Sequence, residues 1–140
     1  MTTEISAVIG ELETAMRAGD AKAVVGLYTP DPVQYNLAQP LRHGAEEVHD
    51  AAALQAWFDG FGGSVGYEVH DLTVTAGADV AFAHSLNKMY DPSPDGRFEL
   101  WFRATYGLVR RGGRWLLGHE HTSTPFHMDG SFRAAVDLQP

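Results

Sequence analysis

The hydrophobic periodicity of this chain changes once, close to the glycines at positions 60, 62 and 63. Before that point apolar residues recur at a helical spacing, and after it they alternate or run continuously as they do in strands. Helices followed by an antiparallel meander predict an α+β fold, with the helices on one face of a curved sheet. The 140 residues fit one domain, 1–140, and the 44% of apolar residues supply its core.

Three helices are predicted in the first half of the chain, over residues 5–17, 21–28 and 46–61. Asp20 is placed to cap the second helix, and Pro30 follows its end. Five strands are predicted over residues 33–36, 67–75, 80–90, 98–109 and 115–123.

The last two strands are joined by a glycine-rich turn, which we predict to comprise the four residues 110–113. That turn pairs Val109 with Arg114 and therefore Arg103 with Glu120, as an ion pair across the two strands. A turn displaced by one residue would instead bring Arg103 beside His121, on the cavity side.

Composition excludes several classes of protein. Eighteen acidic residues against ten basic ones give a formal charge of −8, which disfavours nucleic acid as a partner. The chain has no cysteine, so disulfides, thiolate chemistry and cysteine-ligated zinc are excluded. The first ten residues lack a basic segment, and nowhere do eighteen apolar residues run together. We therefore expect no signal peptide, no membrane partner and a cytoplasmic protein.

His119 and His121 are the strongest candidates for catalysis. They lie two residues apart on a predicted strand, so both side chains point to one face, together with Ser123, while Glu120 points to the other. Imidazoles with pKa values near 6.5 can accept or donate a proton at neutral pH. The pair is predicted to be catalytic and to face the cavity; the alternative is that one histidine is structural.

A histidine pair of this spacing also raises the question of a metal, with His84 as a third imidazole. Zinc needs three or four converging ligands, and Glu120 faces away from its neighbours on an unbroken strand. We therefore predict that the chain uses neither a metal nor another cofactor.

Aromatic and polar residues on several elements are predicted to line the cavity. Together they predict a pocket for an apolar or ring-containing small molecule held by a few polar groups. The predicted substrate-binding residues are His84, Asn87, Tyr35, Trp57, Tyr90, Trp101, Arg103, Tyr106 and Phe126.

Several motifs, in this order, resemble the SnoaL-like branch of the nuclear-transport-factor-2-like superfamily, which is related to ketosteroid isomerase. They are Leu27-Tyr28-Thr29-Pro30-Asp31, Arg42-His43-Gly44, Trp101-Phe102-Arg103-Ala104-Thr105 and His119-Glu120-His121-Thr122-Ser123-Thr124-Pro125-Phe126. The resemblance implies a cone in which three N-terminal helices and a curved antiparallel (mixed) sheet enclose one cavity. It also implies a homodimer formed through the sheet.

The machinery of ketosteroid isomerase does not transfer to this sequence. Asn36 stands where the resemblance places the catalytic aspartate, and Leu12 where it places the oxyanion tyrosine. We therefore expect a small-molecule enzyme of isomerase, cyclase, dehydratase or hydrolase type that uses histidine acid–base catalysis. One alternative is a non-catalytic ligand-binding or oligomerisation domain, because the 110–115 turn and the His-x-His-x-Ser stretch resemble the calcium/calmodulin-dependent protein kinase II association domain. A second is a metal-independent carbonic anhydrase, which the histidine run before Ser123 resembles.

Overall fold

The elements follow the predicted order, with one strand among the helices and the other four strands after them, in the computed structural model, which describes residues 2–140. They are α1 (Thr2–Ala18), α2 (Ala21–Val25), β1 (Tyr28–Tyr35), α3 (Ala45–Val48), α4 (Ala51–Asp59), β2 (Gly66–Ala76), β3 (Val80–Tyr90), β4 (Glu99–Arg111) and β5 (Arg114–Ser123).

The five strands form one sheet in the order β1-β5-β4-β3-β2. The pairs from β2 to β5 are antiparallel, while β1 joins β5 in parallel. This confirms the predicted α+β fold with a curved, mixed sheet. Helix α1 contacts both β2 and β5, so the helices cover one face of the sheet. We call the covered face the inner face and the opposite one the outer face.

The apolar stripe of α1 holds the helix against the inner face. Ile5, Ile9 and Leu12 are each at most 2% exposed and belong to the same buried cluster as Tyr106 and Leu117. Burying an aliphatic side chain of this size contributes about 1.5–3 kcal/mol. Polar contacts fix the helix further: Trp115 Nε1 donates to Glu4 Oε2 at 3.0 Å, and the backbone N–H of Val69 donates to Glu13 Oε2 at 2.6 Å.

Strand β1 begins earlier than the predicted residue 33, because the second helix is shorter than the predicted range 21–28. The helix ends at Val25, and β1 begins at Tyr28 although it contains Pro30 and Pro32. Proline removes a backbone donor, which is tolerated at the edge of a sheet, and β1 is an edge strand. Tyr28 is consequently on the sheet rather than on a helix.

The third predicted helix, 46–61, is divided into α3 and α4, so residues 2–140 contain four helices where three were expected. Asp50 breaks it, because its side chain accepts a hydrogen bond from the backbone N–H of Ala53 at 3.0 Å and so begins a new helix. The preceding His49 is held by a contact of 2.7 Å between its Nε2 and the carbonyl oxygen of Thr29.

The turn between β4 and β5 is shorter than predicted. Gly112 and Gly113 have φ values of 60° and 77°, which fit the two central residues of a tight hairpin turn. Arg111 therefore pairs with Arg114, and Arg103 pairs with Ser123. The predicted ion pair between Arg103 and Glu120 is wrong, and so is the alternative that places Arg103 beside His121.

Candidate functional site

A β-bulge at Gly118 decides which side chains of β5 face the helices. Leu117 pairs with Leu108 and His119 pairs with the adjacent Gly107, so Gly118 is an extra residue on β5. An extra residue reverses the alternation of side chains beyond it. Trp115 and Leu117 are buried before the bulge, and Glu120 and Thr122 are buried after it.

The bulge brings a carboxyl group into the inner face. Glu120 is 7% exposed. The phenol of Tyr28 donates a hydrogen bond of 3.0 Å to Glu120 Oε1, and Gln34 Nε2 donates one of 3.1 Å to the same oxygen. Within residues 2–140, Glu120 Oε2 has no hydrogen bond to the protein, so it is the oxygen that can meet a bound molecule.

The surroundings of Glu120 disfavour its charged form. Burial raises the pKa of Glu120 to about 7, and the hydrogen bond from Tyr28 opposes this rise only in part. Both protonation states are therefore populated near neutral pH. A group with such a pKa can take up and release a proton at little cost, as a general acid or base must.

Two further phenols lie on the inner face beside Glu120, linked by a fully buried amide. Asn87 Nδ2 donates to the phenol oxygens of Tyr67 and Tyr106 at 3.1 and 2.9 Å, and Asn87 Oδ1 accepts from Ser85 Oγ at 2.7 Å. Tyr106 is directly opposite Glu120 across the β4–β5 ladder.

Both phenols keep their protons. Burial is the main reason that the pKa of Tyr106 is raised to about 12 and that of Tyr67 is raised well above its usual value. Each phenol oxygen accepts a hydrogen bond from Asn87, and each phenol keeps an O–H group that can act as a donor. We call these two neighbouring hydrogen-bonded groups the inner polar cluster: Tyr28, Gln34 and Glu120 in one, and Tyr67, Ser85, Asn87 and Tyr106 in the other.

His119 and His121 do not face the interior, and the prediction that they do is wrong. The sequence-based prediction assumed that the side chains of β5 alternate regularly through Gly118. The bulge at Gly118 reverses that alternation for the residues after it. His119 Nδ1 lies 2.7 Å from the carbonyl oxygen of Val33, and the Tyr35 ring packs edge-on against both imidazoles at 5.0 and 5.5 Å. His121 is exposed on the outer face.

Most of the other predicted binding residues also lie on the outer face. Tyr35 is 40% exposed there, and His84 and Arg103 are exposed as well. The Trp101 ring packs 5.1 Å from that of His70. Tyr90 lies 5.0 Å beneath the ammonium group of Lys88.

Of the remaining predicted residues, two lie away from the sheet and two lie in the inner polar cluster. Trp57 is 39% exposed on α4, and Phe126 is 60% exposed after β5. Asn87 and Tyr106 are fully buried in the cluster. Those two are the predicted site residues that the structure brings together around Glu120.

Sequence reasoning missed the other members of the cluster for identifiable reasons. Tyr28 was assigned to the end of a helix, and Glu120 was assigned to the wrong face. Ser85 carried a usable signal, because it is two residues from Asn87 on one strand and so shares its face. The signal for Tyr67 was its position as an aromatic residue at the start of the predicted second strand.

Two surface depressions of the chain lie away from this cluster. One is bordered by α1 and α2, including Glu11 and Thr14, and the other by Thr29, Gly118 and His119. Neither includes Glu120, and the single cavity expected inside the cone stays a prediction.

Within residues 2–140, no three histidine, aspartate or glutamate side chains converge as metal ligands would. The described helices include none that is long and apolar enough to cross a membrane.

Comparison with known proteins agrees with this architecture. An NTF2-like protein of unknown function from Pseudomonas putida KT2440 is 31% identical, with a TM-score of 0.86 over 99% of this chain and 95% of that one. An NTF2-like protein with a cystatin-like fold from Novosphingobium aromaticivorans is 18% identical, with a TM-score of 0.72 over 99% and 89%. A ketosteroid isomerase-like protein from Erwinia carotovora atroseptica SCRI1043 is 22% identical, with a TM-score of 0.66 over 86% and 93%.

No curated protein matches this sequence. The SnoaL-like domain family matches residues 5–127, which is most of the chain. The chain therefore belongs to the SnoaL-like domain family of the nuclear-transport-factor-2-like superfamily.

Proposed function

We propose that this chain is a cofactor-independent enzyme that moves a proton on an apolar or ring-containing small molecule, with Glu120 as the general base. The observation that carries the proposal is the state of this carboxyl group. It is buried, one of its oxygens accepts no hydrogen bond from the described part of the chain, and burial raises its pKa to about 7. A group of this kind removes a carbon-bound proton more readily than a solvated carboxylate does.

The phenols of Tyr67 and Tyr106 complete the proposed chemistry. The Glu120 carboxylate takes a proton from a carbon next to a carbonyl group, and the C–H electron pair becomes the C=C bond of an enolate. A phenol O–H donates a hydrogen bond to the negative oxygen that forms, which lowers the energy of that state. When the deprotonated carbon lies between the carbonyl group and a C=C bond, return of the proton from Glu120 to the far carbon of that bond shifts the double bond, yields an isomer and restores the carboxylate.

Family membership supports this class of reaction without fixing the substrate. One solved relative is named ketosteroid isomerase-like. In this chain the base would come from β5, since Asn36 beyond β1 carries an amide that cannot transfer the proton. The base would also be a carboxyl group rather than an imidazole, because His119 and His121 lie on the outer face.

A generic proton-abstraction substrate tests the proposal. The substrate is 5-nitrobenzisoxazole, which loses one carbon-bound proton to a base and opens, with cleavage of its N–O bond, to a coloured phenolate. We expect the native protein to accelerate this opening and Glu120→Gln to lower the rate about 10²- to 10⁴-fold, as loss of a general base does. The rate should rise with pH through about 7, because the carboxylate is the active form.

A matched variant separates the buried carboxyl group from carboxylates in general. Glu99→Gln removes an exposed carboxylate from β4 and should leave the rate unchanged. Equal rates for the native protein and Glu120→Gln would overturn the proposal. They would favour a non-catalytic ligand-binding domain instead.

A further inference from the structure

His43 lies in the same row of side chains as Glu120. The loop after β1 folds back so that Gln34 and His43 exchange both backbone hydrogen bonds, at 2.9 Å each. Residues paired in this way present their side chains on the same face. Gln34 pairs in turn with Glu120 and donates its side-chain hydrogen bond to it. Glu120, Gln34 and His43 therefore follow one another across the inner face.

One ring nitrogen of His43 lacks a hydrogen-bond partner within residues 2–140. This atom is Nδ1, and it is buried. A buried polar atom without a partner has lost its hydrogen bonds to water and gained none in return, so such atoms are rare in folded proteins. Among the side chains of residues 2–140, the other buried nitrogen or oxygen without a partner is the hydroxyl of Thr29. Of the two, only His43 belongs to the row that contains Glu120.

We propose that His43 Nδ1 binds a second polar group of the substrate, at the opposite end of the molecule from the carbon that Glu120 deprotonates. The inference rests on the proposed function for the location of the ligand. Neighbouring strands are about 4.8 Å apart, so the backbones of Glu120 and His43 are roughly 10 Å apart with Gln34 between them. The substrate class is therefore a ring compound about two fused rings long, with a polar group at each end.

Two naphthalene probes of the same shape test this by calorimetry. One is 2-naphthol, which has a single hydroxyl group, and the other is 2,6-dihydroxynaphthalene, which has one at each end. We expect the native protein to bind the diol roughly threefold to tenfold more tightly, the size of one additional hydrogen bond.

The choice of variant tests which ring nitrogen is involved. His43→Phe keeps a ring but removes the polar atoms, so it should bind both probes equally. In His43→Asn the side-chain amide occupies the position of Nδ1, so the preference for the diol should return. His43→Gln places its amide near the position of Nε2 and should not restore the preference.

Each result supports or overturns the inference. A preference for the diol that survives in His43→Phe would overturn it, and so would failure of the native protein to bind either probe at millimolar concentration. The proposed function is judged separately, by the rate of Glu120→Gln on 5-nitrobenzisoxazole. If that rate is native while His43 sets the preference, the assignment of His43 stands and the catalytic role of Glu120 falls.

Discussion

At the scale of single residues, Glu120 differs from the other buried carboxyl group of the chain in its partners. Asp91 is 6% exposed but accepts hydrogen bonds from the backbone N–H groups of Ser93 and Arg97 and from Arg97 Nε, which hold its pKa well below the usual range. Glu120 receives only neutral donors, from Tyr28 and Gln34. Burial therefore dominates its titration, and the charged form destabilises the fold.

The replacement Glu120→Gln should consequently change stability in a pH-dependent way. The folded protein holds this proton up to about pH 7, whereas the unfolded chain loses it near 4.5. The favourable contribution of the protonated form is complete below pH 4.5 and is lost as the pH rises through 7. We expect Glu120→Gln to resemble the native protein at pH 4.5 and to be more stable by about 3 kcal/mol at pH 8.

Urea denaturation at the two pH values measures this difference. Glutamine can accept the same hydrogen bonds from Tyr28 and Gln34 through its Oε1, so the comparison isolates the charge. A gain of the same size at both pH values would show that the effect is unrelated to ionisation. A loss of stability at pH 8 would contradict the assignment of burial as the cause.

At the scale of elements, β5 shows where sequence reasoning succeeds and where it ends. Its bounds, 115–123 as predicted and Arg114–Ser123 as observed, agree closely because a strand-like run begins after Gly113 and ends shortly before Pro125. The predicted and observed faces of its side chains differ after Gly118, because one bulge residue moves every later side chain to the other face. A glycine within a strand is the signal for such a bulge, and Gly118 was present.

The same limit applies to contacts between distant elements. Asn87 was predicted as a polar group of the site together with His84, and Tyr106 as one of its aromatic residues, but only Asn87 and Tyr106 of these three are buried. Gln34 reaches Glu120 only because β1 joins β5 in parallel, 86 residues along the chain. No local periodicity specifies which strands become neighbours, so that pairing is a property of the whole sheet.

The hairpin between β4 and β5 gives a prediction at the same scale. Gly113 has a φ of 77°, which costs a residue with a Cβ about 1–2 kcal/mol. We expect Gly113→Ala to destabilise the protein by that amount. Gly10→Ala in helix α1 should instead stabilise it by about 0.5–1 kcal/mol, because an added Cβ at Gly10 meets no atom within 4 Å.

Thermal unfolding of the two variants compares the same chemical change at two backbone conformations. Gly113→Asn should fall between the native protein and Gly113→Ala, since asparagine tolerates positive φ better than alanine does. A lower melting temperature for both alanine variants would show that the added methyl group, rather than the backbone conformation, is responsible.

At the scale of the whole molecule, the outer face is the feature that a single chain leaves unexplained. Helix α1 covers the inner face, while Phe82 is 50% exposed and Tyr35 is 40% exposed on the outer one. Four of the seven histidines, at positions 70, 84, 119 and 121, also lie there. An antiparallel sheet can have one solvated face, but this one carries large aromatic side chains. We propose that a second copy of the chain covers it, as a homodimer.

Thr105 offers a test of that arrangement because it lies in the middle of the outer face. Its neighbours across the ladders are His84 on β3 and His121 on β5, and Arg103 is two residues away on the same strand. Thr105→Arg would therefore bury a guanidinium group at the interface with no carboxylate beside it, which is strongly unfavourable. The native protein should have twice the mass of one 15.3 kDa chain in light scattering, and Thr105→Arg should have the mass of one.

The control makes the same replacement where no partner is expected. Thr3 is exposed on α1, on the far side of the helix layer, so Thr3→Arg should remain dimeric. Because Thr105 is exposed within one chain, its replacement should leave the fold of the monomer intact, and circular dichroism spectra should match. A native protein with the mass of one chain at micromolar concentration would refute the homodimer. Equal masses for all three proteins would place any interface away from the outer face.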